Sequence, residues 1–170
     1  MDSFTFTGEA GMPVEVRAEH QWLQRMVGEW TYEMEAEAEP GQPPIRDTGP
    51  ESIRALGESW VICEATGATP EGGQATSIMS IGYDPDGGRF QGTFISSMMT
   101  YLWIYEGALD AAGNVLTLDT EGPSYTGEGM MKYRDTIDIQ SDDHRVQTSS
   151  YQGKDGSWHP FMTTHYRRVK

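Results

Sequence analysis

The spacing of apolar residues changes near residue 28. Between Ala18 and Val27 they recur every three or four positions, whereas after Gly28 they recur at every second position. The first pattern predicts a short amphipathic helix of about two and a half turns. Gly28 is suited to ending this helix, because glycine adopts the backbone conformations that close helices. The predicted buried stripe consists of His20, Trp22, Leu23, Met26 and Val27.

The second pattern predicts an antiparallel strand with one buried face and one solvated face. Glutamates occupy the polar positions from Glu33 to Glu39. We interpret them as a solvated face and not as a metal site, because carboxylates at alternate positions of one strand repel each other. The predicted buried positions are Trp30, Tyr32, Met34, Ala36 and Ala38.

Turn signals divide the rest of the chain into short strand-like runs. They are PGQPP, PEGG, DPDGG, DAAGN, SDDH and GKDG. Turns at this spacing, without helices between them, predict an antiparallel meander of about eight to ten strands. Closure into an up-and-down β-barrel would leave no open sheet edge. The predicted fold class is therefore all-β, with residues 18–170 as one barrel domain carrying a short N-terminal helix and residues 1–17 as an extended arm.

Composition excludes several kinds of partner. The chain of 170 residues has a formal net charge of −14, which disfavours nucleic acids and anionic membranes. Cys63 is the only cysteine, so no intramolecular disulfide forms. Cys63 lies in an apolar run, and we expect a buried, inert thiol. The N-terminus lacks a signal-peptide pattern and no apolar stretch approaches about 18 residues, so we expect a cytoplasmic protein.

Two sets of motifs resemble known barrels. The step Gly28-Glu29-Trp30, with Arg167 or Arg168 in the last strand, is similar to the lipocalin-like, or calycin, barrels, in which a basic side chain lies across the Trp. HQWLQRMVGEW, SIGYDPDGGRFQGTF, YEGALDAAGNVLTLDTEGP, MKYRDTIDIQSDDHRV and GKDGSWHPFMTTHYRR resemble, in that order, the bacterial domain-of-unknown-function 1579 family. The resemblance covers about residues 20–168. It implies a small lipocalin-like barrel and brings no established activity.

Aromatic residues are the candidate walls of an interior pocket. Tyr101, Trp103 and Tyr105 share one face of a predicted strand, whose other face is also largely apolar. Aromatic side chains suit a pocket wall because they bury a large area and carry polar tips, but they suit a plain core equally well. The expected wall residues are Trp30, Trp60, Tyr101, Trp103 and Tyr105.

Glu106 and Arg134 are the candidate polar anchors. If both point inward, each offsets the other's burial, and Arg134 offers a planar fork to a carboxylate ligand. The alternative is a purely structural ion pair. Among the histidines, His165 in the last strand invites comparison with barrels that bind heme through one histidine, but we expect neither heme nor any other cofactor. No zinc-binding spacing is present.

Three functions fit these observations. The leading hypothesis is a barrel that binds a small apolar or carboxylate-bearing molecule in its interior. The second is an interaction module with a filled barrel that forms a homodimer, suggested by the strand with two apolar faces. The third is an enzyme that acts inside the cup with Glu106 as acid or base.

Overall fold

The computed structural model describes residues 14–169. Most of the arm expected over residues 1–17 lies outside the described residues, so this part of the domain organisation stays a prediction. Residues 14–17 precede the helix without regular secondary structure.

Ten antiparallel strands form one closed barrel in chain order, and β1 pairs with β10 to complete it. This confirms the predicted up-and-down barrel. Within the described residues, one helix precedes the strands. The elements are α1 (Ala18–Gln24), β1 (Gly28–Ala36), β2 (Ile45–Leu56), β3 (Trp60–Ala68), β4 (Gln74–Asp84), β5 (Arg89–Ser96), β6 (Trp103–Leu109), β7 (Val115–Pro123), β8 (Met130–Ser141), β9 (His144–Gln152) and β10 (Trp158–Arg168).

Helix α1 covers one end of the barrel, which we call the closed end. Its predicted apolar stripe is buried there except for Val27, which is half-buried, and Leu23 is fully inaccessible. Two side chains fix the helix to the barrel: Trp22 Nε1 donates to the carbonyl of Gly113 in the β6–β7 loop at 2.9 Å, and His20 Nε2 lies 3.1 Å from the carbonyl of Tyr83 near the end of β4. Within residues 14–169, no helix is long and apolar enough to span a membrane.

The helix ends at Gln24, earlier than the expected end at Gly28, because the backbone that follows it bonds to Arg168. The Arg168 guanidinium donates to the carbonyls of Val27 at 2.7 Å and Arg25 at 2.8 Å, and to a third carbonyl in the β8–β9 turn at 2.7 Å. It also lies 4.3 Å from the centre of the Trp30 ring. Arg168, and not Arg167, is therefore the basic residue that lies across the Trp.

Gly28 makes this arrangement possible at the start of β1. Its φ of 146° disfavours residues with a side chain, and an added Cβ would lie 2.3 Å from Arg168 Nη1. Gly28 therefore leaves room for the guanidinium rather than ending the helix.

The turn signals and apolar patterns of the sequence do not predict strand β2. Its inward positions carry Asp47, Gly49 and Glu51, so it shows no apolar alternation. Pro50 also argues against a strand, since proline cannot donate to a sheet ladder. The pairing of β2 with β3 begins only at Glu51, so Pro50 lies outside that ladder.

We expect Arg168→Ala to lower the free energy of unfolding by about 2–4 kcal/mol, because it removes three charge-assisted hydrogen bonds and a cation–π contact from a partly exposed site. Urea denaturation followed by Trp fluorescence measures this loss. Arg167→Ala removes the same charge from an exposed neighbour and is the matched control. Equal losses in both variants would contradict this role for Arg168.

Candidate functional site

The barrel interior contains an open cavity of about 1210 Å³. Small-molecule pockets in proteins are typically about 300–1,000 Å³, so this one has room for a ligand. The cavity opens at the end opposite α1, where the loops formed by residues 37–44, 97–102 and 124–129 surround what we call the mouth. The interior is therefore open, as the leading hypothesis requires, and the filled barrel of the second hypothesis is wrong.

A buried ion pair forms the floor of the cavity. Arg145 on β9 extends across the barrel, and its Nη2 donates to Glu51 on β2. The side chains are only 4% and 7% exposed. The guanidinium lies 4.5 Å from the ring centre of Trp30 and 3.8 Å from that of Tyr166. Trp30 thus supports the floor from the closed end.

The other terminal nitrogen of Arg145, Nη1, is buried and has no hydrogen-bond partner among the described residues. Burial lowers the pKa of Arg145 to about 10, so the side chain is still charged at neutral pH. A buried donor without a partner is costly, by roughly 1–3 kcal/mol and more for a charged group. Nη1 has practically no accessible surface, so it is enclosed within the floor and does not face the cavity.

A second polar cluster lies on the cavity wall. Tyr105 donates from its hydroxyl to Asp135 Oδ2 at 2.9 Å, and Ser149 also hydrogen-bonds this carboxyl. Burial raises the pKa of Asp135, while the bonds from Ser149 and Tyr105 act in the opposite direction. Asp135 therefore holds a proton at higher pH than an exposed aspartate does.

Tyr32 and Cys63 complete the lower wall. Tyr32 donates to Asp47 Oδ2 and shares its hydroxyl with the Thr66 carbonyl, both at 3.0 Å. Gly67 leaves space for this pair, because a Cβ there would lie 2.4 Å from the Tyr32 oxygen. Burial raises the pKa of the Cys63 thiol to about 12, so the thiol stays neutral and is a poor nucleophile.

Five rings line the upper wall next to the mouth, and we call them the aromatic belt. Consecutive rings are in contact, with centroids 5.2, 6.3, 6.1 and 5.1 Å apart. Two of the contacts are nearly perpendicular, at 88° and 74°, so the ring faces point in several directions. In order of contact, the belt consists of Trp103, Tyr133, Phe161, Tyr151 and Tyr125.

The expected wall residues occupy four different places. Trp103 and Tyr105 line the cavity. The ring of Tyr101 packs edge-on against Trp103, with centroids 5.1 Å apart, but does not line the cavity. Trp30 lies beneath the floor, as described above. Trp60 is half-buried on the face of β3 opposite to the cavity-lining positions.

Glu106 and Arg134 do not meet inside the barrel. Because Tyr105 points inward, its neighbour Glu106 points outward, and its carboxylate lies 3.6 Å from Arg89. Arg134 donates from Nε and Nη2 to Asp119 at 2.7 and 3.0 Å, also on the outer surface. The expected inward pair is therefore wrong, and Glu106 is not placed to act as acid or base in the cup.

His165 also faces away from the cavity. Its Nδ1 lies 3.1 Å from His144 Nε2, and the two rings are stacked on the outer surface. It is therefore not placed to bind a heme held inside the barrel. Across residues 14–169, no group of three or more His, Cys, Asp or Glu side chains is arranged to hold a metal ion.

The polar residues of the floor and wall escaped prediction from the sequence. Glu51 and Arg145 are 94 positions apart, and neither belongs to a recognisable motif. Asp135 did carry a signal, because it interrupts an otherwise apolar alternation with Tyr133 and Ile137.

The family model described as "Protein of unknown function (DUF1579)" matches residues 15–168, so the chain belongs to this family. No curated protein sequence matches the chain. The crystal structure of Rv2717c from M. tuberculosis is similar, with a TM-score of 0.62 and 12% identity over 92% of this chain and 100% of that one. The S-type phycobiliprotein lyase CPES from Guillardia theta has a TM-score of 0.56 and 15% identity over 93% and 99%. At these identities the likeness concerns the fold alone.

The raised pKa of Asp135 predicts a pH-dependent effect of Asp135→Asn. Protonated Asp135 favours folding below the unfolded-state pKa of about 3.9, and this contribution is lost as pH rises through the higher folded-state pKa. Asn does not titrate, so we expect the variant to gain stability relative to the wild type as pH rises.

Urea denaturation of both proteins between about pH 4 and pH 8 measures this difference. The control is Asp138→Asn, which makes the same chemical change on the outer face of β8. A difference between wild type and Asp135→Asn that stays constant over this range would contradict the prediction.

Proposed function

We propose that this member of the DUF1579 family binds a small, largely apolar molecule that contains rings, inside its barrel. The observation that carries the proposal is the open cavity, which has the aromatic belt near the mouth and the paired Arg145 and Glu51 at the floor. An apolar body packs against the belt, since aromatic pairs contribute about 0.5–1.5 kcal/mol beyond the area they bury. The far end of the ligand then lies above the floor.

The group that suits this end of the ligand is uncharged. Glu51 already neutralises the charge of Arg145, which is the basic residue among those that line the cavity. A carboxylate ligand, the other type expected from the sequence, would have to leave water without gaining a free basic partner, and burying an unpaired charge is costly. We therefore favour an uncharged group over a carboxylate at this end of the ligand.

The neutral fluorophore N-phenyl-1-naphthylamine tests the proposal. We expect saturable binding with increased fluorescence, and an affinity at least about tenfold lower in the double variant Ala65→Trp/Ser77→Trp, because two added indoles fill part of the cavity. Both wild-type residues line it. The matched control is Ser52→Trp/Ala55→Trp, which adds the same indoles at exposed positions of β2.

Native mass spectrometry of protein purified without denaturation adds an independent readout. A stoichiometric extra mass that disappears on denaturation would identify the class of ligand. Absence of any fluorophore binding, or equal binding to both double variants, would contradict an interior site.

A second candidate function, homodimer formation, rests on the outer face of β5 and β6. Ile95, Leu102 and Ile104 are 48%, 49% and 62% exposed there, on adjacent antiparallel segments. Neighbouring apolar side chains that face water are typical of association surfaces. We expect size-exclusion chromatography with light scattering to give a dimer that Ile104→Lys converts to monomer. A monomer at every concentration tested would remove this candidate.

A further inference from the structure

The cavity contains more acidic than basic groups. Its ionisable carboxylic and basic lining residues are Glu37, Glu39, Asp47, Glu51, Asp135 and Arg145. Arg145 and Glu51 neutralise each other at the floor, and Asp47 accepts the hydroxyl of Tyr32. Glu37 and Glu39 lie at the mouth, both exposed, and no basic side chain within residues 14–169 lies at ion-pair distance from either. The entrance is therefore negative.

The aromatic belt lies beside these carboxylates. The belt residue Tyr151 lies close to Glu37. Its pKa is raised chiefly by a hydrogen bond with the Tyr125 hydroxyl, and the negative charge of Glu37 raises it further. The backbone N–H of Glu37 also donates to the carbonyl of Phe161, another belt residue, at 2.8 Å. The backbone that follows β1 is thus bonded to the backbone of β10 at a belt residue.

Ring faces and a carboxylate at one place are what an organic ammonium group recognises. The face of an aromatic ring carries negative electrostatic potential, and a cation over it gains about 0.5–2 kcal/mol. The perpendicular rings of the belt offer faces in more than one direction. A quaternary ammonium group needs no hydrogen-bond acceptor and so fits such a wall better than it fits an apolar core.

From these observations we propose that the ligand is an organic cation whose ammonium group lies at the mouth, between Glu37 and the aromatic belt. Its apolar body extends down the barrel towards the floor formed by Arg145 and Glu51. This inference rests on the proposed interior binding and adds the charge and orientation of the ligand. The net charge of −14 acts in the same direction, because it attracts cations and repels anions before contact.

Three naphthalene probes of matched shape test the inference. They are 1-(trimethylammoniomethyl)naphthalene, its uncharged carbon isostere 1-neopentylnaphthalene, and the anion 1-naphthylacetate. Displacement of N-phenyl-1-naphthylamine gives their dissociation constants. We expect the cation to bind about tenfold more tightly than its isostere and the anion to bind most weakly.

Paired variants separate a local site from the general charge of the protein. Glu37→Gln/Glu39→Gln removes both carboxylates at the mouth, and we expect it to reduce the cation's advantage to about twofold while leaving the affinity for the neutral isostere unchanged. Glu33→Gln/Glu64→Gln makes the same change in net charge at exposed positions on the outer face of β1 and β3 and is expected to preserve the advantage. Tyr151→Leu should weaken the cation more than the isostere.

Three other outcomes would refute the ammonium site or the proposed function itself. If the cation and its isostere bind equally, the ammonium site is refuted while interior binding stands. If both pairs of Gln variants lose the advantage equally, the general charge is responsible and the local site is refuted. If none of the probes binds, the proposed function itself fails, and the inference fails with it.

Discussion

Closure of the barrel between β1 and β10 is the constraint on which the rest of the structure depends. In that pairing Trp30 lies opposite Arg168, so the first and last strands meet where α1 joins the sheet. Arg168 fixes the chain between the helix and β1 through carbonyl hydrogen bonds, and Trp30 returns one from Nε1 to the Met26 carbonyl at 2.8 Å. The guanidinium of Arg145 also lies over the ring of Trp30. The residue that helps to close this end of the barrel therefore also positions the floor of the cavity.

Small residues line part of the wall between floor and belt, and polar side chains there are hydrogen-bonded within the wall. Ala65 and Ser77 face each other on β3 and β4, and Ser149 bonds to Asp135 on the opposite side. The charged pair at the floor cannot move upward without breaking its contacts with Trp30 and Tyr166, so collapse of the wall onto the floor is costly.

The fold was largely predictable from the sequence, whereas the site was not. Alternation in β1 and the turn signals indicated a meander, and Gly28-Glu29-Trp30 indicated how it closes. Apolar periodicity predicts a strand only where the inward-facing residues are apolar. In β2 several inward-facing residues are polar, so the pattern does not appear. Glu106 was predicted inward because it follows an apolar run, but the parity set by Tyr105 turns it outward. Arg145 and Glu51 come into contact only when the barrel closes, so no local sequence pattern predicts the pair.

The pairing of the first strand with the last also has a consequence during synthesis on the ribosome. Until β10 has emerged, β1 has no partner on one side, and a strand with a free edge can pair with another nascent chain. Contacts between residues so distant in sequence form late in folding. The exposed glutamates of β1 are therefore useful before the barrel exists: identical unfinished chains that approach along this edge bring rows of like charge together and repel each other.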